Sequence, residues 1–428
     1  MCKQGTDFYV RMVLCIDGER LPTLVDAATG LPDFIATHWV VNSLRGQNRA
    51  SATIEQALRS VALLYLVLKS RNVDLTASLR AGRFLEPADI EAIAKAAKQT
   101  TTSVRKSFVA VTPTLQNGPS SKIASLERLR MGMQTNDESD TVASSTASIR
   151  LLNIRAFLQW RANQEIYRAT GDRLTRLIAL RDLVDKELRN KTPSESDKAT
   201  LGGRQGISRE TQVHLLELAN PEGERNPWSG TYIRIRNQLI INMIIGLGIR
   251  RSESLGMRVP DINPRTGEVM ILRRPDDIDD PRSSEPNTKT RDRVLPLTPE
   301  LYKLISEYLR LRHQIVRGSH DFLLVANSGR PLSKSELNRL FRPLDTLLEG
   351  PKLTPHVLRH TYFENLAEDL HSSGHTETQI LYYLRRLGGW SETSDSPLRY
   401  TKRFVQEMAM KAGLASQKKL RFPKKHEQ

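Results

Sequence analysis

Tyr400 sits in the run Leu398-Arg399-Tyr400-Thr401-Lys402-Arg403, a phenol surrounded by cations. A phenol has a pKa near ~10 and is a poor nucleophile at neutral pH, so chemistry at its oxygen requires positive charge that favours the phenolate and stabilises charge on the attacked centre. The stretch Leu353-Thr354-Pro355-His356-Val357-Leu358-Arg359-His360-Thr361 can supply part of it. It reads as a helix start: Thr354 suits the cap, Pro355 the first helical position, and Val357 and Leu358 the core. His356 and Arg359, three residues apart, then share one face of a first turn whose free N–H groups already favour an anion. An imidazole and a guanidinium there form a phosphate-holding arrangement. His356 and His360 are four apart, but a helical zinc-protease site needs Glu directly after the first His, and Val357 occupies that position.

Two further cations have positions that a fold can aim. Tyr232 to Gly246 contains Leu239-Ile240-Ile241 and Met243-Ile244-Ile245, apolar almost all round, which predicts a helix at the centre of a domain. Glycines stop it at Gly246-Leu247-Gly248, and Arg250 follows, with Glu253 placed to pair with it. Strand-like Val269 to Leu272 and Arg293 to Leu297 enclose a long polar excursion with the acidic run Asp276 to Asp280, then Asn287-Thr288-Lys289-Thr290-Arg291. This places Lys289 near a β-hairpin tip, from which a flexible ammonium can reach a groove. Thr376 and Gln379 predict a capping box for a helix that stops at Gly388-Gly389-Trp390, and Ser333 and Glu336 predict another. Tyr382 and Tyr383 fall inside the Thr376 helix and are better explained by packing.

The order Arg, Lys, His-x-x-Arg, Trp, Tyr resembles that of the tyrosine recombinase (phage integrase) family over about the last half of the chain. Gly248 to Glu253 matches the family's Gly-x-Arg-x-Ser-Glu pattern, so its first arginine carries to Arg250 and not to Arg251. The hairpin lysine carries to Lys289, the central pair to His356 and Arg359, the aromatic variant to Trp390 and the nucleophile to Tyr400. The excursion before Lys289 is longer than the pattern, and Gly388-Gly389 sets Trp390 one residue farther from Tyr400 than usual.

The resemblance implies site-specific DNA recombination or integration, through a 3′-phosphotyrosyl intermediate and a free 5′ hydroxyl, for integration, excision or transposition of a mobile element. Arg250 and Arg359 would clamp the nonbridging oxygens, His356 would hydrogen-bond or move a proton, Lys289 would protonate the leaving oxygen, and Trp390 would pack at the phosphate. Neither metal nor other cofactor is implied. The expected partners are double-stranded DNA, three further copies in a homotetramer on paired sites, and accessory DNA-bending or element-encoded proteins. Alternatives are a type IB topoisomerase-like or hairpin-resolving enzyme with the same cleavage chemistry, or a non-catalytic DNA-binding protein on the same fold.

Composition agrees with a polyanionic partner: Lys and Arg total 64 against 48 Asp and Glu, a net charge of +16 over 428 residues. With 39% hydrophobic residues the chain is globular, and its length allows more than one core. No uninterrupted apolar run approaches the ~20 residues of a spanning helix, and Met1 to Arg20 lacks signal-peptide features. Cys2 and Cys15 are the only cysteines, too few for a disulfide framework or a Cys-based zinc site. The expected location is cytoplasmic and DNA-associated.

The expected fold class is multidomain and mainly α: a helical core-type DNA-binding domain and a mixed α+β catalytic domain with a small antiparallel sheet. Residues 1–30 read as a hairpin-like extension and 31–190 as the helical domain. Thr53 and Gln56 are placed to cap a helix carrying Ile54, Leu58, Val61 and Leu68, and further helices are expected at Pro87 to Lys98 and Asp172 to Arg189. Ile149, Leu152, Ala156, Phe157 and Trp160 mark another buried face, with loosely structured chain and one helix near Ile123 to Met131 before it. The polar segment 191–206 reads as a linker, and 207–428 as the catalytic domain. That domain opens on a Ser208-capped helix carrying Val213, Leu216 and Leu218, and closes on Phe404, Val405, Met408 and Ala412 along one helical face and a basic tail from Lys418 to Lys425.

Overall fold

A computed structural model describes residues 8–109, 140–194, 206–286, 288 and 290–419. The chain divides into two compact units, residues 1–15 with 20–197 and residues 16–19 with 198–428.

In the first unit an antiparallel hairpin, β1 (Phe8–Leu14) and β2 (Arg20–Asp26), pairs in register from Phe8 opposite Asp26 to Leu14 opposite Arg20. Helices follow: α1 (Phe34–Trp39), continued by a π-helical segment Val40–Arg45, then α2 (Ser51–Ser70), α3 (Leu75–Arg80), α4 (Pro87–Ala97), α5 (Thr101–Val109), α6 (Ser144–Ile166) and α7 (Gly171–Asn190). The core is the face of α2 formed by Ile54, Leu58, Val61 and Leu64, all fully buried, packed with Trp39, Phe157 and Leu188. By length and composition α2 could cross a membrane, yet its apolar face is the centre of this core.

Three local expectations are corrected here. Helix α2 begins at Ser51, so Thr53 lies inside its first turn and caps nothing. Helix α6 buries Ala147, Leu151, Ile154, Phe157 and Leu158, while Ile149 and Leu152 are exposed, because the face is set by the neighbours α2 and α7. Residues 101–109 form a helix where irregular chain was expected. The helix expected near Ile123 to Met131 and most of the linker lie outside the described residues.

The second unit contains α8 (Arg209–Ala219), α9 (Thr231–Leu247), α10 (Arg251–Gly256), a three-stranded antiparallel sheet of β3 (Ile262–Asn263), β4 (Glu268–Ile271) and β5 (Arg293–Pro296), then α11 (Pro299–Val316), α12 (Lys334–Leu340), α13 (Pro355–Ser372), α14 (Glu377–Gly388) and α15 (Leu398–Lys419). The chain is thus mainly helical with small antiparallel sheets. Ser208 caps α8 and Leu218 is buried as expected, but Val213 and Leu216 are exposed and Leu215 is buried in their stead. Central helix α9 buries Leu239, Ile240, Ile241, Met243 and Ile244 completely against α11 and α13. At ~1.5–3 kcal/mol for each such side chain, this burial makes α9 the rigid axis from which the next residues are aimed. Tyr382 and Tyr383 stand on the exposed side of α14, not in the core; Ile380 and Leu384 are the residues it buries.

Candidate active site

Three helix ends converge on one point, and each is fixed by a local sequence rule. Helix α9 stops because Gly248 takes the left-handed conformation at φ +61°, where a Cβ would lie 2.2 Å from the Tyr362 ring. Arg250 follows as the N-cap of α10, its backbone N–H donating to Glu253 Oε2 at 2.8 Å. Helix α13 starts with Thr354 accepting from the Val357 N–H and with Pro355 at its first position, which presents His356 outward and turns Arg359 and His360 inward. Helix α14, opened by the Thr376–Gln379 capping box, ends at Gly388, and Gly389 (φ +68°) reverses the chain into Trp390.

The C-terminal carbonyls of α14 have no partner within their own helix and carry the negative end of its dipole. Three guanidiniums satisfy them. Arg250 Nη1 and Arg359 Nη2 both donate to the Gly388 carbonyl at 3.1 Å, and Arg293 Nε donates to that of Leu387 at 2.7 Å. Arg359 also donates to the Gly248 carbonyl, which ties the ends of α9, α13 and α14 together through one side chain.

Glu253 is the buried counter-ion of this cluster. Arg293 grips it with two bonds, of 3.0 and 2.8 Å, Arg250 lies at 3.5 Å and Arg359 at 3.9 Å, and the Thr290 hydroxyl donates to it as well. Burial by itself would raise its pKa, but the Arg293 hydrogen bonds and the surrounding cations hold the carboxyl down at about 2. Burial, then repulsion from Arg250, pulls the Arg359 guanidinium below its ordinary value, with Glu253 opposing.

Tyr400 is 4% exposed. Its ring centroid lies 5.3 Å from that of Phe363, 5.3 Å from His360 and 5.9 Å from Trp390. Trp390 in turn lies beneath both arginines, 4.6 Å from Arg359 Cζ and 5.4 Å from Arg250 Cζ, and so holds the two guanidiniums and the phenol on one aromatic platform. Burial raises the Tyr400 pKa while Arg359, Arg399 and Arg250 work against it, so the resting group is a neutral phenol poised among cations. Burial, with Arg399, Arg359 and Arg250, lowers the pKa of His356.

Of the six residues named from the sequence, Arg250, His356, Arg359, Trp390 and Tyr400 are brought together; Lys289 lies outside the described residues. Sequence reasoning weighed Glu253 only as a partner for Arg250 and His360 only as a zinc ligand with His356, and gave Arg293 and Thr290 no role. Glu253 carried a signal, its place in Gly-x-Arg-x-Ser-Glu. Arg293 carried none, because its role depends on β5 lying beside the end of α14.

The arrangement offers a phenol, two guanidiniums that share one acceptor, and an imidazole at the rim, an assembly suited to holding a phosphate. Residues 224–381 match the model of the phage integrase family. The tyrosine recombinase XerD of Halalkalibacterium halodurans is 28% identical over 193 residues, covering 44% of this chain and 57% of that protein. The tyrosine recombinase XerC of Agrobacterium fabrum is 26% identical over 225 residues, 51% of this chain and 65% of that protein. The match therefore spans less than two thirds of either relative's own length. Among solved structures, XerH recombinase bound to its difH substrate is similar at a TM-score of 0.46 and 14% identity, covering 88% of this chain and 93% of that one. The Tn1549 transposon integrase with circular-intermediate DNA is similar at 0.40 and 15%, covering 72% and 92%.

Proposed function

From the match of residues 224–381 to the phage integrase family, we infer that this chain is a tyrosine site-specific recombinase that cuts and rejoins double-stranded DNA. The observation that carries the reading is the convergence of Arg250 and Arg359 on one carbonyl above Trp390, with Tyr400 packed against the same indole.

In the proposed step Tyr400 Oη gives up its proton to solvent water and forms a bond to phosphorus, the bond from phosphorus to the 5′ oxygen breaks, and that oxygen takes up a proton to leave a 3′-phosphotyrosyl link and a free 5′ hydroxyl. The Arg250 and Arg359 donors now held by Gly388 are the groups that would turn to the nonbridging oxygens, Arg359 already buried and both beside the Glu253 carboxylate. His356, at the rim, would hydrogen-bond the phosphate or move a proton. Lys289 is the proposed acid for the leaving oxygen. Thr290, the next residue in sequence, donates its hydroxyl to Glu253. Phosphodiester energy is conserved in the tyrosyl link, so rejoining by another strand's 5′ hydroxyl needs no nucleotide.

Two duplexes must be held together for exchange, and we take the assembly to be a homotetramer on paired sites. Helix α15 supports this reading: it runs beyond Tyr400 to Lys419 with Val405, Met408, Met410 and Leu414 all exposed, an apolar set suited to another copy of the chain. Service to a mobile element, with accessory DNA-bending proteins, belongs to the same proposal.

A nicked suicide substrate tests the reading. Accumulation of a covalent DNA adduct at Tyr400, with strand exchange between two duplexes, supports a recombinase. An adduct with relaxation but no exchange indicates a topoisomerase-like activity, and no adduct indicates a binding protein.

A further inference from the structure

His360 takes no part in the mechanism above, yet it sits at its centre. Its ring is 3% exposed, wedged between His356 (centroids 4.3 Å apart) and Tyr400 (5.3 Å). Its Nε2 lies 2.8 Å from Nε2 of His356, a hydrogen bond in which one nitrogen must carry the proton and the other a lone pair. The surroundings favour the neutral form of both rings: burial, then His356 and the cations Arg399 and Arg359, push His360 down to about 4, and burial with Arg399, Arg359 and Arg250 lowers His356.

The remaining nitrogen of His360 decides the direction of the bond. Nδ1 is buried and has no hydrogen-bond partner among the described residues. If the His360 proton sat on Nδ1, it would be a buried N–H donor with no acceptor among the described residues. With the proton on Nε2, the unpartnered atom is a bare acceptor, which interiors tolerate better. His360 therefore donates from Nε2, and the Nε2 lone pair of His356 is occupied. The proton of neutral His356 must then sit on Nδ1, since the state of one ring nitrogen is set by the bond the other makes.

Resting on the recombinase reading, we propose that His360 is a positioning residue that locks His356 in the Nδ1–H tautomer, so that His356 serves the phosphate as a neutral hydrogen-bond donor and not as the base that accepts the Tyr400 proton. The lock is built into α13: residues four apart stack on one helical face, and burial of the second ring by Tyr400 fixes the first.

The full-length protein, labelled with 15N only in histidine, reports the tautomer directly through long-range 1H–15N correlations, with His356 assigned by its loss in His356→Gln. The expected pattern is a protonated Nδ1 and a bare Nε2. In His360→Leu, which keeps an apolar ring-sized filler and removes the donor, His356 should revert to the Nε2–H form preferred in water. Covalent adduct formation on the suicide substrate should slow on the order of tenfold at unchanged DNA affinity. His360→Gln, which restores a donor at similar reach, should recover most of that loss. An Nε2–H tautomer for His356 in the wild-type protein overturns the proposal, as does a His360→Leu variant with wild-type cleavage. The tautomer measurement needs no DNA, and His356→Gln, at a position on the outer face of the helix, serves only to assign the signals. A wild-type protein that shows the Nδ1–H form but makes no adduct would sink the recombinase reading and leave the lock standing.

Discussion

Arg250 and Arg359 share a single acceptor: each donates a hydrogen bond of 3.1 Å to the carbonyl of Gly388. Two guanidiniums converging on one oxygen repel each other, and the arrangement persists because Glu253 lies between them and Arg293 as a buried anion. The helix end also contributes its dipole. The cluster is therefore held in a charged state by one buried carboxylate.

Replacing Glu253 with Gln leaves Arg293 and Arg359 buried without a counter-charge, and should destabilise the protein by about 3–5 kcal/mol. Its pH dependence gives a sharper signature. The folded carboxyl titrates at about 2, below its usual 4.5, so its contribution is complete above pH ~4.5 and is lost as the pH falls toward 2. Urea unfolding of the wild-type protein across that window should show a loss of roughly 3 kcal/mol that Glu253→Gln lacks. Parallel acid limbs in the two proteins would show that Glu253 is not the ionised partner.

Tyr400→Phe removes one hydroxyl from a ring whose packing on Phe363, His360 and Trp390 survives. Adduct formation should be abolished while DNA affinity, which rests on the cationic surface, is unchanged within a factor of two or so. An adduct formed by this variant would transfer the nucleophile to another tyrosine, with exposed Tyr382 and Tyr383 the first to examine.

Arg250→Ala and Arg359→Ala should each slow cleavage by ~10²-fold or more, the cost of a lost transition-state donor. Their stabilities should differ. The Arg250 side chain is 31% exposed and its loss is tolerable, whereas Arg359 is buried and ties three helix ends, so chemical denaturation should expose the larger defect in Arg359→Ala. Single-turnover cleavage at the wild-type rate would remove either residue from the site. Because these side chains supply the charge stabilisation, cleavage should persist in EDTA, and a strict Mg²⁺ requirement in the chemical step would contradict that assignment.

Gly388→Ala places a Cβ 1.9 Å from the Trp390 ring, so the indole must move off the arginines. Losing ~1–2 kcal/mol of cation–π contact should cut cleavage about tenfold and change the Trp390 fluorescence, with helix content retained. Unaltered fluorescence and rate would show that the platform is dispensable.

Truncation after Lys402 should leave binding to a single half-site measurable in gel-shift assays and remove assembly on paired sites, because the exposed Val405, Met408, Met410 and Leu414 go with it. Normal strand exchange by the shortened protein would refute the assembly role of α15. Loss of folding would show instead that the helix serves its own core.

The local rules were legible in the chain because they act over a few residues. Thr354 and Pro355 start α13, Gly248 and Gly389 end α9 and α14, and the apolar run from Leu239 to Ile245 can only be buried. The order from Arg250 to Tyr400 was likewise written in residue types. What tertiary structure alone decided is which groups meet across the fold. Nothing near Arg293 in sequence marks it as the main partner of Glu253, forty residues away, and nothing around Gly388 marks its carbonyl as the acceptor for two arginines. The same holds for burial: Ile149, Leu152, Val213 and Tyr382 have the types of core residues and face outward, because periodicity gives a helix a stripe and only the neighbour that covers it determines which side is in.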